Sequence, residues 1–173
     1  MEWAAFEKAA PALARRVRDG LARSGFGLVG TIRRDGTPRI SPVEVHLVGA
    51  QLMLVMVADT QKVRDLVRDP RVLVQTPVTD PDTPEDEIAL RGRVHEITDA
   101  QQRVATAETV HAHSGWRPRD SWRLFAVDLD SVSCMQWRND ELRLMRWDTA
   151  HGLRPTERRR LDMEASRYVP IGQ

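Results

Sequence analysis

Cysteine is nearly missing from this sequence: Cys134 is the one instance in 173 residues. A single thiol excludes a disulfide within the chain and any cluster of thiolate metal ligands drawn from it. Lysine is almost as scarce, because Lys8 and Lys62 are the only two among 26 basic residues and the others are arginines. Lys62 is therefore a position to follow. An excess of either charge is also lacking, with 26 basic against 25 acidic side chains and a net charge of +1. That balance gives no electrostatic footprint for a nucleic acid or an anionic membrane. No apolar run approaches the ~20 residues that a membrane helix requires. The first twelve residues carry Glu2, Glu7 and Lys8 without a signal-peptide pattern. The expectation is a folded cytoplasmic protein with neither membrane nor nucleic acid as partner.

Hydrophobic residues make up 41% and charged residues 29%, enough apolar material for a core and too little net charge for disorder. The length favours one domain over 1–173. At its start Trp3, Phe6, Ala10, Leu13, Val17 and Leu21 recur every three or four residues with charged residues between. This predicts an amphipathic helix within 1–24, in which Pro11 either begins the main part or kinks it.

From 25 to 147 the period changes. Phe26 to Ile32 reads as a strand, Asp35-Gly36 as a hairpin turn, and Pro38 to Val48 as its partner. The alternation in that partner slips phase at Pro42, between Ile40-Ser41 and Val43-Glu44-Val45. Proline has no ladder N–H, so the slip predicts an edge position or a bulge, with a break in regular pairing at Ser41 and Pro42. A strand over Gln51–Val57 precedes a short helix within 59–70, capped by Thr60 or Asp59 and stopped by Pro70. Further strands are predicted at Val72–Val78 and Ile88–Ile97. Between Asp80 and Glu87 five of eight residues are acidic and two are proline, which predicts a solvated loop. Thr98 with Gln101 reads as a capping box for a helix over Asp99–His113, closed by Gly115. Strands at Leu124–Leu129, Val132–Trp137 and Leu142–Trp147 follow, and then an Arg-rich tail over 148–173 with little periodicity. Strands joined mostly as hairpins, with helices at the start and at two connections, predict a mainly β (α+β) fold: an antiparallel barrel with peripheral helices.

Catalytic signatures are absent. His46, His95, His111, His113 and His151 show no metal-ligand spacing, and His111 and His113 point to different sides of one helix. No metal site is expected, and Cys134 reads as a small buried hydrophobe.

The blocks Asp35-Gly36-Thr37-Pro38-Arg39-Ile40-Ser41-Pro42-Val43 and Lys62-Val63-Arg64-Asp65-Leu66-Val67-Arg68-Asp69-Pro70-Arg71-Val72 resemble the flavin-binding split-barrel family related to pyridoxamine 5′-phosphate oxidase. The resemblance runs from about Ser24 to Leu129, and Trp147-Asp148-Thr149-Ala150-His151-Gly152-Leu153-Arg154 resembles the end of an actinobacterial subgroup. It implies an antiparallel split β-barrel, a homodimer, and a groove between subunits that holds flavin mononucleotide (FMN), alternatively an 8-hydroxy-5-deazaflavin coenzyme, with haem behind both. Lys62 matches the position at the cofactor phosphate, with Thr60 and Gln61 beside it. A helix N-terminus with one ammonium group suits a phosphate physically, too. Arg39, Ile40, Ser41, Pro42 and Val43 match the strand beneath the flavin, and Met56 and Val57 the end of the next strand. The ordinary reading of Lys62 is a helix residue paired with Asp59 or Asp65. Trp116-Arg117-Pro118-Arg119 offers a loop that reaches the partner's groove.

Two function classes follow. The first is an FMN- or deazaflavin-dependent oxidoreductase that transfers a hydride to or from a small molecule. There the cofactor carries the chemistry, so the lack of an identifiable catalytic residue is expected. The second is a non-catalytic flavin, deazaflavin or haem binding protein. An anionic tail longer than a phosphate calls for a more basic groove, for which Arg33, Arg34, Arg39 and Arg64 are candidates.

Overall fold

The computed structural model describes residues 1–78, 85–119 and 121–171. Six strands form a closed antiparallel barrel: β1 (Phe26–Ile32), β2 (Pro38–Val48), β3 (Gln51–Met56), β4 (Arg71–Gln75), β5 (Glu87–Glu96) and β6 (Arg123–Arg138). Their order is β6-β3-β2-β1-β4-β5, and β5 pairs back onto β6. Helices α1 (Trp3–Ala9), α2 (Pro11–Ser24), α3 (Gln61–Arg68) and α4 (Ala100–Ser114) lie outside the ring. The fold is thus a mainly β split barrel with peripheral helices, as the strand pattern indicates. No described helix is long and apolar enough to cross a membrane.

The N-terminal periodicity becomes packing directly. Trp3, Phe6, Ala10, Leu13, Val17 and Leu21 are all buried, in one cluster with Val43, Leu54, Leu90 and Val127 of the barrel. Pro11 starts a second helix, in a first turn where its missing N–H costs nothing, and Ala10 at φ −144° breaks the chain between the two. Phe6 stands edge-on between Trp3 and Trp147, with centroids at 5.4 and 4.9 Å. The asparagine-free hairpin between β1 and β2 turns at Gly36, whose φ of +83° suits glycine.

Two of the expected strands are one. Residues 124–129 and 132–137 belong to β6, which runs through a bulge: Arg91 pairs with Ser131 and Gly92 with Leu129, leaving Asp130 as the extra residue. Gly92 makes that approach possible, since a Cβ there would lie 2.0 Å from the Asp128 carbonyl oxygen. The bulge is also where the barrel splits. Above it β6 pairs with β3 (Leu52↔Val127), and beyond it with β7 (Glu141–Asp148), while β5 pairs along its other edge on both sides of the bulge, from Phe125 to Met135.

The Arg-rich tail contains strands as well. β8 (Gly152–Leu153) and β9 (Glu157–Asp162) pair with β7, and β10 (Arg167–Pro170) pairs with β9. Ion pairs join the tail to β7: its Arg158 bonds Glu141 at 2.6 Å and its Arg154 bonds Asp148 at 2.7 Å, while its Glu157 takes Arg146 of β7. Hydrogen bonds from Arg158 and Arg143 hold the Glu141 carboxyl at about 2. Charge pairing, with no apolar alternation, concealed these strands from a hydrophobic pattern.

Helix α4 is capped one residue later than the Thr98 box would have it. Asp99 is the N-cap and accepts from the Gln102 N–H at 2.8 Å. Of the acidic loop expected at 80–87, residues 80–84 lie outside the described residues; Asp86 accepts from Arg16 at 2.9 Å and Gln136 at 2.7 Å.

Candidate functional site

Strand β2 is where the predicted site residues meet. It pairs with β1 without a register shift from Ile32↔Pro38 to Phe26↔Glu44, but with β3 only from Glu44↔Val55 to Val48↔Gln51. Among the described residues, 38–43 therefore have a strand on one side alone, and their other edge has ladder groups that no described strand takes. Of the two readings of Pro42, the edge position holds and the bulge does not. Ser41 and Pro42 pair regularly with Val29 and Leu28. The phase slip is absorbed by exposure: Ile40 stays on the outer face, 69% exposed, while Val43 keeps its inward place.

Continuing the β2–β3 register sets Val43 against Met56 and Pro42 against Val57. The two sequence blocks thus flank the point where the ladder stops. Val43 and Met56 turn their side chains into the core, so only their backbone is left to meet a ligand. Val57 is exposed, and Asp59, at φ +62°, swings the chain into α3. Thr60 occupies the N-cap position, yet its hydroxyl donates back to the Val57 carbonyl at 3.1 Å. Gln61 is exposed; Lys62 is half-buried and makes no hydrogen bond or ion pair with any described residue, so its pairing with Asp59 or Asp65 is not formed.

Arg39 leads to the most strongly charged feature. An open depression of about 830 Å³ is lined by the β1–β2 hairpin, β2 and α3, and gathers Arg33, Arg34, Arg39, Arg64 and Arg68 against Asp35 and Asp65. Each element presents its charges for a local reason. The hairpin tip is stiffened by Asp35, which accepts from the Thr37 N–H at 3.0 Å and the Thr37 hydroxyl at 2.6 Å; those bonds pull its carboxyl below the usual range. On α3, Gln61, Arg64, Asp65 and Arg68 share one face by helical spacing, opposite the buried Val63 and Leu66.

Asp65 is the buried centre of this face, 3% exposed. It accepts from Arg39 Nε at 2.7 Å, Thr31 Oγ1 at 3.1 Å and Arg68 Nη2 at 3.3 Å. Burial works to raise its pKa, and the bonds from Arg39, Thr31 and Arg68 outweigh burial and hold it below the ordinary value. Arg68 also donates to the Ile32 carbonyl, tying α3 to β1. The sequence offered Arg39 and Gln61 for this site and Arg33, Arg34 and Arg64 as a possible basic groove. It missed Asp65 and Arg68, for which the i, i+3 acid–base spacing was the available signal.

The remaining candidates lie elsewhere. His46 and His113, distant in sequence, stack edge-on at 6.2 Å over a cleft between α2, β2 and α4. Burial lowers the His46 pKa, against the pull of Glu44. Among the described residues no group of three potential ligands is placed to hold a metal. Trp116 packs on Trp122 at 4.9 Å and donates to Glu44, so it is engaged within its own chain. Cys134 is fully buried, and burial, with Asp86 nearby, pushes its thiol up to about 12.

Among solved structures, the chain is similar to a conserved hypothetical protein of Mycobacterium tuberculosis, with 17% identity and a TM-score of 0.60 over 69% of this chain and 82% of the other. It is similar to a haem-binding protein of Mycobacterium smegmatis, with 19% identity and a TM-score of 0.64 over 80% of this chain and 58% of that one. An F420 reductase gives 24% identity and a TM-score of 0.54, over 67% of this chain and 94% of the reductase. At these identities the likeness concerns the fold. No curated protein matches the sequence. The family model described as pyridoxamine 5′-phosphate oxidase matches residues 13–133, from helix α2 through the bulge of β6. A match over more than half of the chain makes this protein a member of the pyridoxamine 5′-phosphate oxidase family.

Proposed function

We propose that the protein is an oxidoreductase that binds a flavin-type cofactor along the open edge of β2, and that this cofactor is the 8-hydroxy-5-deazaflavin in preference to FMN. One observation carries the choice: five guanidinium groups face only two carboxylates in the depression beside Arg39. A single phosphate needs one or two such groups, whereas a longer tail of several anionic groups uses them all. The open edge at 38–43 offers backbone donors and acceptors to a planar ring, and Val57 an exposed apolar contact. When bound, the cofactor supplies hydride transfer; the chain's own residues orient it and hold its charge. FMN is the second reading, favoured by the uncommitted ammonium of Lys62 at the start of α3. A small conjugated molecule is the expected substrate.

The same face supports a homodimer. Ile40, Ile32, Pro38 and Leu73 give a largely apolar lining to a trough of about 410 Å³ on the outer wall of the barrel, which Arg39, Arg71, Arg91 and Asp130 also line and to which no described helix contributes. Fluorescence titration with each cofactor, at low and high salt, tests the assignment, and light scattering tests the dimer. Tighter and more salt-sensitive binding of the deazaflavin is expected. Tighter FMN binding would overturn the choice of cofactor, and binding of neither would overturn the flavin reading.

A further inference from the structure

We infer that Asp65 is the positioning residue of the arginine depression: it fixes Arg39 and Arg68 from below so that their remaining N–H groups meet an anionic ligand already aimed. The inference rests on the depression's taking an anion, and is independent of which cofactor carries it.

A carboxylate at the bottom of an anion site is at first sight counterproductive, because it repels the ligand. Its bonds explain its presence. Asp65 takes only the Nε of Arg39, at 2.7 Å, and the two terminal nitrogens of that side chain bond no described residue. Those two form the fork that grips phosphate or carboxylate oxygens side by side. Arg68 is held at one nitrogen by Asp65 and by the Ile32 carbonyl, which leaves its other terminal nitrogen free of described partners. The side chains of Arg33, Arg34 and Arg64 bond no described residue, so only the inner pair is set in advance. Thr31 supplies the third bond from the barrel wall, which ties the position of the carboxylate to β1 and not to α3 alone. An arginine fixed before the ligand arrives loses less rotamer freedom on binding than a mobile one.

The rival account is that Asp65 only staples α3 to the barrel and offsets surplus charge. The two accounts predict opposite signs. In Asp65→Asn a negative charge leaves the depression, so charge alone would tighten anion binding a few-fold, whereas loss of the anchor weakens it. Binding of inorganic pyrophosphate, read by calorimetry alongside the melting temperature of each variant, decides between them. The expected result is a rise of about tenfold in the dissociation constant for Asp65→Asn, the size of one charge-assisted bond lost in part. Arg39→Lys keeps the charge, removes the fork, and is expected to weaken binding similarly. In the double variant the losses should not add, because each disables the same contact. Unchanged or tighter binding in Asp65→Asn overturns the inference. If Asp65→Asn does not fold, full affinity in Arg39→Lys overturns it equally. Failure of the unaltered protein to bind pyrophosphate would instead overturn the anion site itself.

Discussion

Replacing Gly92 by alanine puts the split of the barrel to a quantitative test. The added Cβ would lie 2.0 Å from the Asp128 carbonyl oxygen, 2.9 Å from its carbon and 3.1 Å from the Leu129 Cα. All three are backbone atoms, so no side chain can rotate away. Contacts under 3.0 Å do not occur for real Cβ atoms, so β5 and β6 must part by about 1 Å at this point. Because both strands are closed into the ring, that separation stretches the ladder on either side. Overpacking typically costs about 1 to 3 kcal/mol, and one or two weakened ladder bonds add about 1 kcal/mol each, so about 3 kcal/mol is expected. At about 2 to 4 °C per kcal/mol for a chain of this size, the melting temperature should fall by about 6 to 12 °C. Circular dichroism on heating measures it. Gly30→Ala is the control, for its Cβ would meet only Leu73 on the outer wall, at 3.3 Å from the Cβ, 3.7 Å from Cδ2 and 3.8 Å from the carbonyl oxygen, which a shift of a few tenths of an ångström relieves, so it should change far less. A Gly92→Ala protein melting within about 2 °C of the original would refute the account of the bulge.

Lys62→Ala should raise the dissociation constant of the bound cofactor about ten- to hundredfold, the worth of one phosphate-to-ammonium bond, in a fluorescence titration; unchanged affinity would make Lys62 a surface residue. Cys134 should resist alkylation in the native protein at pH 8 and react on unfolding. Its thiol is raised from 9.0 to about 12, so the unfolded chain ionises first and folding stability should decline as pH rises between those values, a trend that Cys134→Ser removes. Denaturant titrations at pH 8, 9 and 10 check the sign.

Where one residue type settles a local geometry, the sequence was readable. The Trp3 to Leu21 spacing, the Asp35-Gly36 turn and the stop at Pro70 all correspond to structure, because each depends on neighbours within a turn or two. Pro42 announced an unusual position but not which kind, since an edge and a bulge both dispense with its N–H. The continuity of β6 was hidden by Asp130 and Ser131, two polar residues that interrupt the apolar alternation, because the bulge at Asp130 becomes visible only against the partner strand. The tail escaped because Arg158 and Glu141 satisfy each other across the ladder without an apolar stripe. At the site, Arg39 was named from its motif block and Gln61 as the neighbour of Lys62. Asp65 was not, because its role depends on Thr31, 34 residues away, and Arg39, 26 residues away.

The long strand β6 also sets an order of events during synthesis. Strands β1 to β5 are complete by residue 96, but the barrel cannot close until β6 supplies the partner for β3 on one side and for β5 on the other. Meanwhile α4 and the segment after it must be made. A growing chain therefore carries two unpaired edges, at β3 and β5, that could recruit each other's counterparts in a neighbouring chain. Closure across so many residues is slow relative to hairpin formation. Expression that outpaces delivery of residues 123–138 should thus yield aggregates joined edge to edge, and the prolines at 38 and 42 leave β2, the third edge, ill suited to join them.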